Sequence, residues 1–317
     1  MSLPRPVVPG SSHLLTRRVT QRQFLLPANA ATREIVLYAL AYAAMKTGVL
    51  IHAVVVMTNH IHLVVTDPEG GLPRFMQILH RHVAKCMNAI LDRRENFWSS
   101  SGPSTVALDS DEDVLEKIAY VIANPTAAGL VEDPAEWPGL VTDVAGMTVT
   151  AQRPKVWYRS DGKMPASIEL RISPPGSDSH GTLDSLIAHL RELVAERVRI
   201  AQEKAAQANV PFIGRERVLC VDPSACAVTP EPRRSLRPQF AARDPQRRRV
   251  MLQRLRAFHA AYSRALCEWR AGNRAVTFPA GTYQMRLLHS VNVEQDDPTL
   301  RCHVATRSEA TNVDLAI

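Results

Sequence analysis

Cysteine is scarce and scattered: Cys86, Cys220, Cys226, Cys267 and Cys302 are an odd number with no CxxC pair among them. Neither a disulfide framework nor a cysteine-based zinc site is expected, and a reducing compartment fits. Long apolar runs are missing too. No stretch approaches the roughly 18 residues that a membrane helix needs, and the opening MSLPRPVVPG lacks the charged-then-apolar order of a signal peptide. The expectation is a soluble protein of the cell interior. Acidic residues almost vanish from one segment: residues 233–256 hold nine arginines and a single acid, Asp244. The rest of the composition, 45% hydrophobic and 22% charged over 317 residues, is that of ordinary globular chains and excludes disorder throughout. Residues 1–150 carry 12 Lys+Arg against 14 Asp+Glu, whereas residues 151–317 carry 26 against 17, so the net charge of +7 belongs to the second half. A polyanion, most naturally nucleic acid, is the partner such a distribution suits.

The first 150 residues alternate between strand-like and helix-like patterns over short distances, the texture of a compact α+β unit. A first strand is expected from about His13 to Leu26. A helix follows over Ala30–Thr47, with Thr32 as cap and Gly48 as stop. Two β-branched runs, Ala53–Met57 and Ile61–Thr66, flank Thr58-Asn59-His60 and read as adjacent strands joined by a tight turn. Pro73 opens a second helix, in which Phe75, Leu79, Val83, Cys86, Met87 and Ile90 recur at helical spacing. A fourth strand is expected between Arg93 and Asp109, before an acidic helix N-terminus at Asp109–Asp113. The order β-α-β-β-α-β is that of a ferredoxin-like antiparallel sheet with two helices on one face. Prolines separate this unit from two amphipathic helices, Leu183–Lys204 and Gln246–Gly272, which make the remainder a basic, mainly helical accessory region. A boundary is placed near residue 150.

Two features of the first unit bear chemistry. His60 and His62 are two apart in a strand and leave the sheet on the same face, while Ile61, Leu63 and Val65 leave the other. Two neighbouring imidazoles are a ready pair of ligands for a divalent metal; the alternative is a pair of hydrogen-bonded core or surface histidines. On the helix near 112–124, Val114, Leu115, Ile118, Val121 and Ile122 form a packing face. Tyr120 lies about 160° from its centre, with Asn124 one turn on and about 40° from Tyr120. The two project together from the non-core side, either as a nucleophile and a ligand or as a surface tyrosine at the edge of a partner contact.

The run VVVMTNHIHLVV resembles the HUH (His-hydrophobe-His) motif of single-tyrosine transposases. AYVIANPTAAGLV resembles the catalytic-helix signature of their REP-associated branch, a tyrosine followed by Asn-Pro and a glycine-containing turn. The resemblance covers about residues 13–140. It implies that His60, His62 and Asn124 hold Mg²⁺ or Mn²⁺ and that Tyr120 is the nucleophile. It further implies a DNA transposase or single-strand endonuclease, working through a 5′-phosphotyrosine on single-stranded hairpin ends in the cytoplasm or nucleoid. Thr58 stands where the family usually has proline. Whether the tyrosine helix acts in cis or across a homodimer stays open, and residues beyond 150 are an extension that the resemblance does not explain. Arg247, Arg248, Arg249, Arg254 and Arg256 crowd the start of the Gln246–Gly272 helix, where they suit phosphate contacts or a solvated basic face. Two further readings stand beside the transposase: a metal-dependent hydrolase that forms no covalent intermediate, and a domesticated, catalytically silent DNA-binding protein.

Overall fold

The computed structural model describes residues 4–157, 164–176, 182–228 and 238–295. Its centre is built from β1 (Ser11–Arg18), α1 (Ala30–Thr47), β2 (Leu50–Met57), β3 (His60–Asp67), α2 (Leu72–Ile90) and β4 (Ser104–Leu108). The four strands lie in the order β2-β3-β1-β4 with every neighbour antiparallel, the ferredoxin-like arrangement. The β-branched residues of β2 and β3 suit this half-buried, pleated setting, and Thr58-Asn59 turns the chain so that Met57 stands opposite His60. α1 has the expected limits, but its cap is Asn29, whose side chain accepts from the Thr32 backbone N–H at 3.0 Å. Thr32 is instead buried in the first turn, and Gly48 ends the helix with a left-handed φ of 69°.

Alternation along the strands sorts their side chains into two layers. Leu15, Val54, Val56, Ile61, Leu63 and Val65 pack with α1 and α2, the two helices expected on one face. Leu14, Ala53, Val55, Met57 and Val64 point the other way. That second face is covered as well. It carries α3 (Asp111–Ile122), its short continuation α4 (Asn124–Ala127), and α5 (Leu183–Ala208), which contributes Leu186 and Leu190 to the same core.

The sheet extends beyond the four central strands. β5 (Met147–Gln152) pairs antiparallel with β6 (Ser167–Ile172), and β6 joins β2 in parallel through Ile51 and Ile172. The result is a mixed seven-stranded sheet, β5-β6-β2-β3-β1-β4-β7, in which β7 (Phe240–Ala241), parallel to β4, forms the far edge. Residue 150 therefore lies inside β5, and chain from both sides of it shares one sheet. After α6 (Arg215–Leu219) and β7, α7 (Pro245–Arg270) packs Ala265, Tyr262 and Trp269 against Phe278, Met285 and Val291. These last come from β8 (Thr277–Phe278), α8 (Gln284–His289) and the turn before β9 (Asn292–Val293). The extension thus adds strands to the sheet as well as helices. Among the described residues no helix is long and apolar enough to cross a membrane.

Candidate functional site

The period of a strand puts His60 and His62 on the α3 side of the sheet, in line with Val64. Their ring centroids are 4.6 Å apart, edge to face. His60 Nδ1 lies 2.6 Å from Asn59 Oδ1; the amide oxygen only accepts, so Nδ1 carries the proton and Nε2 keeps its lone pair. His62 Nδ1 is 2.8 Å from the hydroxyl of Thr16, which the β1–β3 register places directly opposite. No described hydrogen bond uses either Nε2. Burial, with Arg18 nearby, pushes His60 down to about 4. Burial, then His60, then Arg18 hold His62 well below its ordinary value. Both imidazoles are therefore neutral at physiological pH, oriented through Nδ1 and with Nε2 unused, the state in which histidine ligates a metal.

Tyr120 reaches this pair from α3. Ser110 caps that helix by accepting from the Asp113 backbone N–H at 3.2 Å, and Asp111, Glu112 and Asp113 complement the dipole of its first turn. The Tyr120 ring stands 5.4 Å from the His62 ring, edge to face. Helical geometry placed Tyr120 away from the packing face, yet the ring is half-buried. The reason is tertiary: α5 lies along α3, so the side of the helix turned from the apolar stripe is enclosed as well. Asn124 is 7% exposed at the first position of α4, between buried neighbours, and its side chain has no described hydrogen bond. The fold thus brings His60, His62 and Tyr120 into ring contact and leaves Asn124 buried one turn beyond the tyrosine.

Neutral imidazole nitrogens are donors for a divalent metal, and an amide oxygen is a donor of the kind that Mg²⁺ or Mn²⁺ prefers. Among the described residues no three His, Cys, Asp or Glu side chains come together in a group that could hold a metal ion.

Several residues at the site carry no sequence signal. Lys117 and Arg197 place cations 5.9 Å and 6.0 Å from the centroid of the Tyr120 ring. Arg197 comes from α5 and is held at 2.5 Å by Glu116, which also binds Arg243. Glu116 is only 13% exposed, and the Arg243 backbone N–H donates to Asp113 Oδ1 at 3.2 Å. Thr16 and Arg197 reach the site only through strand register and helix docking. Neither is a neighbour of the motifs in sequence.

The basic helix resolves into different roles. Arg247 pairs with Asp109 at 3.2 Å, and Arg248 donates to the Ala242 carbonyl, so both tie the start of α7 to its surroundings. Arg249, Arg254 and Arg256 are exposed, with no described partner. Arg233, Arg234 and Arg237 lie outside the described residues.

No family model matches the chain, and no curated protein does. Among solved structures, a REP-associated tyrosine transposase bound to a REP hairpin is similar at 18% identity and a TM-score of 0.37, over 44% of this chain and 81% of that one. A candidate transposase from Deinococcus radiodurans is similar at 19% identity and a TM-score of 0.26, over 33% of this chain and 85% of that one.

Proposed function

We propose that this protein is an HUH-type tyrosine transposase that cleaves and rejoins single-stranded DNA at hairpin ends, with Tyr120 as its nucleophile. The observation that carries the reading is the packing of the Tyr120 ring on His62, beside a second imidazole whose Nε2 is likewise unused. In this reading Tyr120 Oη loses its proton and bonds to the scissile phosphorus as the bond to the 3′ oxygen breaks. The 3′ oxygen takes up a proton and leaves as a hydroxyl, and the 5′ phosphate stays on the tyrosine. A 3′-hydroxyl attacking that phosphotyrosine reverses the step, so strand transfer needs no external energy source. His60, His62 and Asn124 would hold Mg²⁺ or Mn²⁺, which when bound polarises the scissile phosphate and offsets its developing charge. Lys117 and Arg197 add positive charge beside the ring, which would attract a phosphodiester.

The test incubates the full chain and its Tyr120→Phe variant with labelled, hairpin-containing single strands from the flanks of its own gene, with and without Mg²⁺ or Mn²⁺. A metal-dependent covalent protein–DNA adduct, lost in Tyr120→Phe, is the expected result. Cleavage by both proteins without an adduct would assign a hydrolase. Binding that survives EDTA, with neither cleavage nor adduct, would assign a silent DNA-binding protein.

A further inference from the structure

α7 packs along one side only. Met251, Leu255 and Phe258 border a cavity against β4, β7 and the N-terminal segment, while Tyr262, Ala265 and Trp269 pack with Phe278 and Met285. At 100° per residue these six side chains share one direction, and Arg249, Arg256 and Arg264 lie within about 40° of the opposite one. All three are exposed. The same outward side carries Gln253, Ala260, Ser263 and Cys267, also exposed, so no acid and no bulky group stands between the arginines. The only acid within α7, Glu268, lies near its end and bonds Asn273 at 3.2 Å.

The arginines turned elsewhere serve the fold. Arg247 pairs with Asp109, Arg248 donates to the Ala242 carbonyl, and Arg254 borders the cavity. Just before the helix, Arg243 pairs with Glu116 and its backbone N–H donates to Asp113. These bonds fasten the start of α7 to α3, where Glu116, one turn from Tyr120, also holds Arg197. Arg249, Arg256 and Arg264 have no described partner. They follow one another by seven and eight residues, a rise of about 10.5 Å and then about 12 Å along the helix. At roughly a Debye length apart they repel one another little, yet one polyanion can meet all three. Duplex DNA carries a charge every ~1.7 Å of its axis, and its major groove is about 12 Å wide, so guanidinium groups at this step reach phosphates on both walls of one groove. A fixed array on a stiff helix matches a stiff duplex; a flexible single strand has no fixed spacing to match.

We propose that the outward side of α7 binds the backbone of duplex DNA across one groove, through Arg249, Arg256 and Arg264. Phosphate contacts position a duplex without reading its sequence, so this grip is indifferent to sequence. Because α7 is fastened to α3, a duplex held there is kept in register with the helix that carries Tyr120. That use, as a clamp on the paired stem beside the strand to be cut, rests on the transposase reading; the binding itself does not.

The test uses the full chain in EDTA, where metal-dependent cleavage plays no part. A short labelled duplex of mixed sequence, and a single strand of the same length, are titrated by fluorescence anisotropy over a range of NaCl concentrations. Replacing Arg249, Arg256 and Arg264 together by Gln should weaken duplex binding at least about tenfold and flatten the slope of log K against log salt by about 2.7, the release expected of three phosphate contacts. Replacing the same three by Lys, which keeps the charges, should restore most of the slope. The control replaces Lys46, Lys155 and Arg171 by Gln, an equal loss of charge on α1 and the β5–β6 edge, across the sheet from α7. It should leave the slope as it is, and circular dichroism checks that each variant is folded. If the two Gln triples behave alike, the inference is wrong. It is equally wrong if the α7 triple loses single-strand binding and keeps the duplex. Duplex binding that depends on α7, in a protein that never forms an adduct, would overturn the transposase reading and leave this one standing; a normal adduct with duplex binding indifferent to α7 would do the reverse.

Discussion

Acid should unfold this protein through its buried histidines, and His52 gives the clearest measure. Four groups form a chain across the sheet. His52 Nδ1 donates to the Ser173 carbonyl at 2.9 Å, so Nε2 accepts from the Thr66 hydroxyl at 2.8 Å, and Thr66 in turn accepts from Ser12 at 2.7 Å. This chain ties β6 and the following residue to β2, β3 and β1. Burial pushes His52 down to about 4, against a weaker upward pull from its bond to Ser173. The folded value is below the unfolded one, so the contribution is intact above about pH 6.5 and is lost as pH falls toward 4. Between pH 7.5 and 5.0 the unfolded chain gains nearly a full proton at this residue and the fold gains little, which linkage converts to about 2 kcal/mol. His13, pushed to about 4 by burial and then by Arg5, adds a loss of the same size. Together they amount to a large part of the roughly 5–15 kcal/mol that holds a typical domain together. Urea denaturation followed by tryptophan fluorescence, in EDTA at both pH values, measures the gap in wild type and in His52→Gln. The Gln amide can donate to Ser173 and accept from Thr66 but does not titrate. The gap should shrink by about 2 kcal/mol in the variant; an unchanged gap would refute the argument, whatever the variant costs at neutral pH.

Gly146 has φ +81°, and a Cβ there would stand 2.2 Å from the Ile172 carbonyl oxygen and 2.9 Å from Ser173 Cα. Gly146→Ala should cost about 3 kcal/mol or more, read as a lower thermal midpoint. Leu190 is fully buried where α5 meets α3, so Leu190→Ala should cost about 2–5 kcal/mol and speed amide exchange along α5. Glu116→Gln should cost only about 1 kcal/mol, because its arginine partners are partly exposed. It should nonetheless lower the yield of any Tyr120 adduct by freeing Arg197, and an unchanged yield would remove Arg197 from the site.

Where a pattern is carried by adjacent residues, the elements follow it closely. α1 keeps its expected limits, the two β-branched runs become β2 and β3, and α7 starts and stops within two residues of expectation. Local competition decides the misses. β1 ends at Arg18 rather than near Leu26, because the chain turns through Gln21 and Arg22, both at positive φ. The fourth strand does form inside the expected stretch, at Ser104–Leu108; ahead of it Phe97 is drawn into the core with α1 and α2 and the Trp98 indole donates to the His80 carbonyl.

By itself the sequence determined the ferredoxin-like order of elements and the shared face of His60 and His62, because the period of a strand and the period of a helix are properties of neighbouring residues. It also placed Tyr120 and Asn124 one turn apart in the chain, although the structure ends α3 at Ile122 and starts α4 at Asn124. Only the tertiary structure decided that a second helical layer covers the tyrosine and that residues past 150 complete the same sheet. It alone put Thr16 behind His62, Arg197 beside Tyr120, and Arg243 on Glu116. Those contacts depend on register and on which apolar surfaces find each other. Such long-range pairings are settled by burial across the whole molecule and leave no trace in the spacing of a motif.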